Sequence, residues 1–305
     1  MKPFFVFSGQ GAQAPGMGKD LYESSARAKA IFDEADAVLG YKLSDICFNG
    51  PAETLTETKY CQVAIYTMSC AALEAFREKY DVEAVSCAGL SLGEYGALYA
   101  AGAFSFADGL KLLNKRAELM DVCCKNTSGG MASVLGGDPE IIKETAKECD
   151  IDVANFNSPG QIVVSGEKDK VNACAEALKA KGLRKVIVLN VAGAFHSRLM
   201  AEAGKGLANV LAETELNMPQ VPVYHNFTAA PAADVDTLKA NLAAQVAGSV
   251  QWEGCVRAMV EAGADTMIEF GPGNVLTGLL RRTLPDVAYF NINSTESLEK
   301  FNASK

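Results

Sequence analysis

Apolar residues along this chain fall into two textures. Short blocks with no helical period, Phe4 to Phe7, Glu83 to Ala88, Val221 to Tyr224, Thr266 to Phe270 and Val287 to Ile292, read as buried strands. Longer stretches with apolar positions three and four apart read as helices: Lys19 to Leu39 ending at Gly40, Tyr60 to Tyr80, Ser105 to about Cys123, His196 to Thr214, Val235 to Val246, Trp252 to Ala262 and Val275 to Arg282. Ser105, with Asp108 three residues on, has the spacing of a capping box, and Glu94 to Ala101 is an Ala-rich helix stopped by Gly102. Strands alternating with helices predict an α/β domain with a parallel sheet.

The texture changes near Ser128. Met131 to Leu135 reads as a strand, Pro139 to Cys149 as a helix, Ile151 to Asn155 and Gln161 to Ser165 as strands, Asp169 to Lys181 as a helix, and Arg184 to Leu189 as a strand. That βαββαβ order predicts a ferredoxin-like small lobe over residues 128–191, inserted into a large domain built from 1–127 and 192–305.

The composition, 49% hydrophobic over 305 residues, supplies a large core with room for a second lobe. A net charge of −9 argues against nucleic acid as a partner, because phosphate binding needs clustered Lys and Arg. The nine cysteines include no C-x-x-C pair and no His at zinc spacing, so free thiols in a reducing compartment are expected, with no metal and no cofactor. The apolar run after Met1 is too short for a signal peptide and no stretch approaches a membrane span, which predicts a cytoplasmic protein with no membrane partner.

The chemistry centres on Gly89-Leu90-Ser91-Leu92-Gly93, a G-x-S-x-G where a strand runs into a helix. Such a turn pushes a serine hydroxyl out of the sheet, and the glycines clear room around it. A serine needs a base, and the chain has only two histidines. His196 directly follows a strand and its loop, where catalytic side chains are mounted, while His225 reads as a hydrogen-bonded histidine at a strand end; the base is placed at His196. Most acids between Ser91 and His196 fall in the inserted lobe, so the acceptor that orients the base is expected not to be a carboxylate.

Gly9-Gln10-Gly11-Ala12-Gln13-Ala14 after the first strand has the letters of a dinucleotide turn, but Pro15 to Gly18 delay the helix and no acid ends a following strand. A better use is an oxyanion hole, with one amide from Leu92 after the nucleophile and a second from Gln10.

With these residues in place, the chain resembles the malonyl-CoA:acyl carrier protein transacylases of bacterial fatty-acid synthesis and the acyltransferase domains of polyketide synthases. Phe7-Ser8-Gly9-Gln10-Gly11-Ala12-Gln13 is similar to the family's F-P-G-Q-G-S-Q, Gly89 to Tyr95 to G-H-S-L-G-E-Y, Asn155 to Gln161 to N-x-N-S-P-G-Q, Ala194 to Ser197 to x-F-H-S, and Glu269 to Gly273 to E-x-G-P-G. The resemblance implies an α/β-hydrolase-like large domain with Ser91 as nucleophile, His196 as base, the Gln10 and Leu92 amides as oxyanion hole, and the Gln245 carbonyl orienting His196. It also implies that Arg116, on the helix after the elbow, holds a malonyl carboxylate; an apolar stripe of Leu112, Leu113, Leu119 and Met120 around it puts that guanidinium on an inward face.

Leu90, Ser8, Ala12 and Ser249 depart from the family's histidine, proline, serine and proline. The implied reaction passes malonyl from coenzyme A, through an acyl-serine, to the phosphopantetheine thiol of acyl carrier protein, with a serine thioesterase as the alternative. Phe195 resembles the malonyl-using members. Truncating the Gln245 side chain is expected to be mild, since a main-chain carbonyl survives it. Lys179, Lys181, Arg184, Lys185, Arg281 and Arg282 are the candidates for meeting an acidic carrier.

Overall fold

Nine strands run β1 (Pro3–Phe7), β2 (Ser86–Gly89), β3 (Gly129–Leu135), β4 (Asp152–Ser158), β5 (Gln161–Glu167), β6 (Lys185–Val188), β7 (Val223–Tyr224), β8 (Thr266–Phe270) and β9 (Ala288–Ile292) in the computed structural model, which describes residues 1–303. β1 is apolar and buried at every position, as a strand covered on both faces must be. It forms the middle of a five-stranded sheet, order β7-β2-β1-β8-β9, in which every neighbouring pair is parallel. A separate four-stranded antiparallel sheet has the order β4-β5-β3-β6.

The largest core lies between the parallel sheet and the helix Thr58–Lys79, whose Phe76 meets Phe5 and Phe270 edge-on at ring separations of 6.0 and 5.4 Å. Trp252 anchors a second cluster on the other face with Phe4, Val6 and Met267, and Leu90 packs against it. No helix among the described residues is long and apolar enough to cross a membrane.

Several elements differ from the sequence reading. Lys19 to Leu39 is two helices, Lys19–Ser24 and Ala26–Leu39. Ser25 breaks them by taking an extended conformation and accepting a hydrogen bond from the Ala28 amide, a serine cap that the continuous apolar period conceals. Helices Leu43–Asn49, Ala52–Thr56 and Thr295–Ala303 were not anticipated. The helix expected from His196 begins only at Ala201, after a short 3₁₀ turn, so His196 stands on the loop ahead of it.

The segment between the helices Val235–Gln245 and Trp252–Glu261 pairs with β4 where Ser249 departs from the family's proline. Its hydroxyl donates to the Val153 carbonyl at 2.6 Å, and next to it the Val250 amide donates to Ala154 O at 2.8 Å while Val250 O accepts from Phe156 N at 2.8 Å. Ser8 finds a comparable use, being fully buried with its hydroxyl 3.1 Å from Pro272 O.

Candidate active site

β2 delivers the chain to Ser91 and the helix Gly93–Ala100 carries it away. Ser91 itself takes positive φ, 53°, which is the strain of the elbow. Gly93 is needed for close approach, since a Cβ there would lie 2.2 Å from Phe7 O. Asn226 fastens the turn from outside: its Oδ1 accepts from Ser91 N at 2.6 Å and its Nδ2 donates to Gly89 O at 2.8 Å.

His196 arrives from the loop after β6, also at positive φ, 57°. Its Nδ1 lies 2.8 Å from Gln245 O and its Nε2 lies 2.9 Å from Ser91 Oγ. A carbonyl can only accept, so Nδ1 carries the proton and Nε2 is left bare to receive the one on the serine hydroxyl. Burial, and then the positive charge of Arg116, push the ring down to about 4, so it rests neutral. The orienting acceptor is therefore a main-chain carbonyl, at the last residue of the helix Val235–Gln245.

Arg116 projects from the helix Phe106–Asn126 and is only 1% exposed. One of its terminal nitrogens donates to Gln62 Oε1 at 2.6 Å, and the other to both Ser91 Oγ and Gln245 Oε1 at 2.9 Å. All three acceptors are uncharged. Its Nε is buried with no partner among the described residues, and the guanidinium lies 5.9 Å from the centre of the Tyr95 ring. A buried cation that is hydrogen-bonded only to neutral oxygens, and unsatisfied at one nitrogen, is prepared for an anion arriving from outside.

The loop after β1 packs directly on the elbow: a Cβ on Gly9 would come within 2.8 Å of Leu90 O. The neighbouring Gln10 amide and the Leu92 amide donate to no acceptor among the described residues. Amides left free in this way are available to an acceptor such as an oxyanion.

The structure thus brings Ser91, His196, Arg116 and Gln245 into one hydrogen-bonded group. His225 is not in contact with the nucleophile; it is 1% exposed, with Nδ1 2.5 Å from Glu94 Oε1. Three members of the group escaped the sequence reading, namely Gln62, Glu94 and Asn226. Gln62 and Glu94 carried a signal, each being a polar residue inside an otherwise apolar helical stretch, where an unpartnered side chain would be costly. The Gln245 side chain was also undervalued. Its Oε1 accepts from Arg116, and its Nε2 donates to Ser91 O at 3.1 Å and to Glu94 Oε2 at 2.6 Å.

Comparison with known proteins finds relatives over nearly the whole chain. Residues 4–300 match the family model described as "Acyl transferase domain". The chain is 39% identical over 300 residues to the malonyl CoA-acyl carrier protein transacylase of Bacillus subtilis, covering 97% of this chain and 94% of that protein. It is 35% identical to the Escherichia coli K12 protein of the same name, with 96% of each covered. Among solved structures, an acyl-carrier-protein S-malonyltransferase from Bartonella henselae superposes with a TM-score of 0.95 at 36% identity, covering 100% of this chain and 99% of that one. A malonyl-transacylase in complex with a type II polyketide synthase acyl-carrier protein superposes with a TM-score of 0.97 at 34% identity over 100% of both chains.

Proposed function

We propose, from the premise that this chain belongs to the acyl transferase family, that it moves a malonyl group from coenzyme A to the phosphopantetheine thiol of acyl carrier protein, in supply of fatty-acid synthesis. The observation that carries the malonyl reading is the Arg116 nitrogen 2.9 Å from Ser91 Oγ. A carboxylate two bonds beyond an acyl carbonyl on Ser91 would meet that guanidinium, which no neutral acyl group needs. The same residue weighs against a general thioesterase.

Ser91 Oγ attacks the thioester carbonyl while His196 Nε2 takes its proton. The Gln10 and Leu92 amides hold the oxyanion, and the Gln245 carbonyl steadies the imidazolium through Nδ1–H. Collapse breaks the carbon–sulfur bond, His196 returns the proton to the departing thiolate, and a malonyl-serine ester remains. The carrier's thiol then gives its proton to Nε2, attacks the ester, and releases Ser91 with its proton restored.

The fold supports a finer reading. The parallel sheet with a nucleophile elbow after β2 is that of an α/β-hydrolase-like domain, formed by 1–127 and 192–305. The βαββαβ segment 128–191, with strand order β4-β5-β3-β6, is a ferredoxin-like lobe inserted in it. The protein works in the cytoplasm, in keeping with nine cysteines that are all free thiols.

Intact-protein mass spectrometry tests the reaction. Malonyl-CoA alone should leave one malonyl adduct on Ser91, absent in Ser91→Ala, and added holo carrier should discharge it onto the carrier. An adduct on a cysteine, or discharge to water with no malonyl-carrier formed, would overturn the proposal.

A further inference from the structure

The mechanism leaves a buried acid next to the site unused. Glu94, in the first turn of the elbow helix, is completely buried and lies behind the site rather than in it. Its Oε1 accepts from His225 Nδ1 at 2.5 Å, and its Oε2 accepts from the Asn226 amide at 3.0 Å and from Gln245 Nε2 at 2.6 Å. Three donors from two other parts of the chain converge on a single carboxylate.

We propose that Glu94 is a positioning residue for acyl selection: it fixes the side-chain amide of Gln245 with its oxygen toward Arg116, and so aims the guanidinium at the acyl group on Ser91. The inference rests on the malonyl reading above. Hydrogen-bonding polarity dictates this arrangement. A carboxylate only accepts and a guanidinium only donates, so nothing passes between them unless the group in the middle has one face of each kind. A primary amide has those two faces. With Glu94 fixing Nε2 on its own side, Oε1 must face Arg116, where it is found at 2.9 Å. Reversing the amide would set an NH₂ against the guanidinium and an oxygen against the carboxylate, two repulsive contacts among groups that are all buried.

Position follows from that bond. Arg116 is held by Gln62 through one terminal nitrogen and by Gln245 through the other, and the second of these also touches Ser91 Oγ. Without the Gln245 oxygen the fork keeps Gln62 as its one anchor apart from Ser91 Oγ, the atom that carries the acyl group, and can swing away from that group. Asn226 ties Glu94 to the elbow as well, because the residue whose amide bonds Glu94 is the one whose side chain holds Ser91 N. One carboxylate therefore sets the spacing between nucleophile and clamp. His225 holds Oε1, leaving Oε2 for Gln245 and Asn226.

The test is the ratio of kcat/KM for malonyl-CoA to that for acetyl-CoA, each normalised to sites titrated by the acyl-serine burst. Glu94→Met keeps the length and removes the acceptor, and should lower the ratio about tenfold or more, mainly through KM for malonyl-CoA. In a Gln245→Met background, where the ratio has already fallen, adding Glu94→Met should change it less than twofold, because the residue acts through Gln245. Should Glu94→Met fail to fold, Glu94→Asp keeps the charge for His225 but draws the oxygens back from Gln245, and should lower the ratio several-fold. An unchanged ratio in the folded variant, or independent losses that multiply in the double variant, would overturn the inference. The wild-type control separates the two readings: wild-type protein that does not prefer malonyl-CoA removes the function proposal, whereas wild-type preference kept intact in Glu94→Met removes only this one.

Discussion

Ser91 and His196, 105 residues apart in sequence, meet at 2.9 Å between Oγ and Nε2, and both do so from left-handed backbone conformations, φ 53° and 57°. For a residue with a Cβ that conformation costs about 1 kcal/mol or more, so the two paired side chains are presented at the expense of local stability. His196→Ala should lower the acylation rate roughly 10²- to 10⁴-fold. Going on to His196→Gly should recover stability of about 1 kcal/mol over His196→Ala with no recovery of rate, since only the backbone is relieved. Thermal melts that rank alanine above glycine would show that the loop carries no such strain.

The pH profile follows from the same histidine. Burial and Arg116 hold the ring near 4, so the base is ready at any pH above about 5, and single-turnover acylation by acetyl-CoA should fall only as pH drops through that value. Arg116→Met removes the second cause and should move the acid limb upward, toward the ordinary imidazole value of about 6.5. The sign for stability is parallel. Between about 4 and 6.5 the unfolded chain binds a proton that the native ring refuses, so His196 withdraws stability as pH falls through that window and adds nothing further below it. An acid limb that stays in place in Arg116→Met would mean that the cation does not act on the ring.

Much of the candidate site was legible because its motifs are local in sequence. A strand, two glycines and a serine announce the elbow, and a histidine at an element end announces the base. What stayed hidden is what depends on three-dimensional convergence. Glu94 stands out as a polar residue in an apolar helix, but its partners His225 and Asn226 come against it only through β7. Gln245 could be assigned through its main chain, but nothing linear in the sequence shows that its side chain also spans from Arg116 to Glu94. The fold shows the same division. β8 was bounded correctly by its apolar run, whereas the break at Ser25 lies inside an unbroken apolar period and only the cap geometry exposes it.

The carrier surface can be narrowed. Of the six basic candidates, Lys179 is paired with Glu176 at 2.8 Å, Lys181 with Glu148 at 2.7 Å, and Arg282 donates to Gln161 at 2.9 Å. Arg184 and Lys185 are exposed, next to the exposed Ile187 and Val188 of the edge strand β6. Reversing both charges should raise KM for an acidic carrier about tenfold at low salt and by less at high salt, with acylation of Ser91 by malonyl-CoA unchanged. Carrier kinetics indifferent to the reversal would place the docking face elsewhere.

Gln245 reverses an expectation of the sequence. Truncation to alanine spares the carbonyl that orients His196, so acetyl transfer should fall by less than about tenfold. It also leaves Arg116 without one anchor and Glu94 Oε2 without one donor, both in buried surroundings. Unsatisfied groups of this kind cost about 1–3 kcal/mol each, so malonyl transfer should fall at least tenfold further and the melting temperature should drop by several degrees. Equal loss of acetyl and malonyl transfer, with an unshifted melt, would show that the side chain is idle.

Under the proposed function, Arg116 is the residue on which substrate choice turns. A surface arginine would be worth little, but this one is 1% exposed and its three hydrogen bonds reach only neutral oxygens, with Nε unsatisfied. Burial draws its pKa downward, so the buried cation is poorly stabilised at rest, and its charge also depresses His196. A malonyl carboxylate relieves that condition by accepting from two nitrogens at once, and lysine, a point charge, cannot reproduce the fork. Removing one member of a buried pair costs about 3–5 kcal/mol, which corresponds to roughly a hundredfold to a few thousandfold in kcat/KM for malonyl-CoA. Arg116→Ala should lose that factor while sparing or raising acetyl transfer, which leaves no carboxylate unpaired and meets a less acidified base. Arg116→Lys should recover only a small part. If malonyl and acetyl transfer decline by one common factor in both variants, the guanidinium holds the fold rather than the substrate, and the assignment to malonyl loses the observation that carries it.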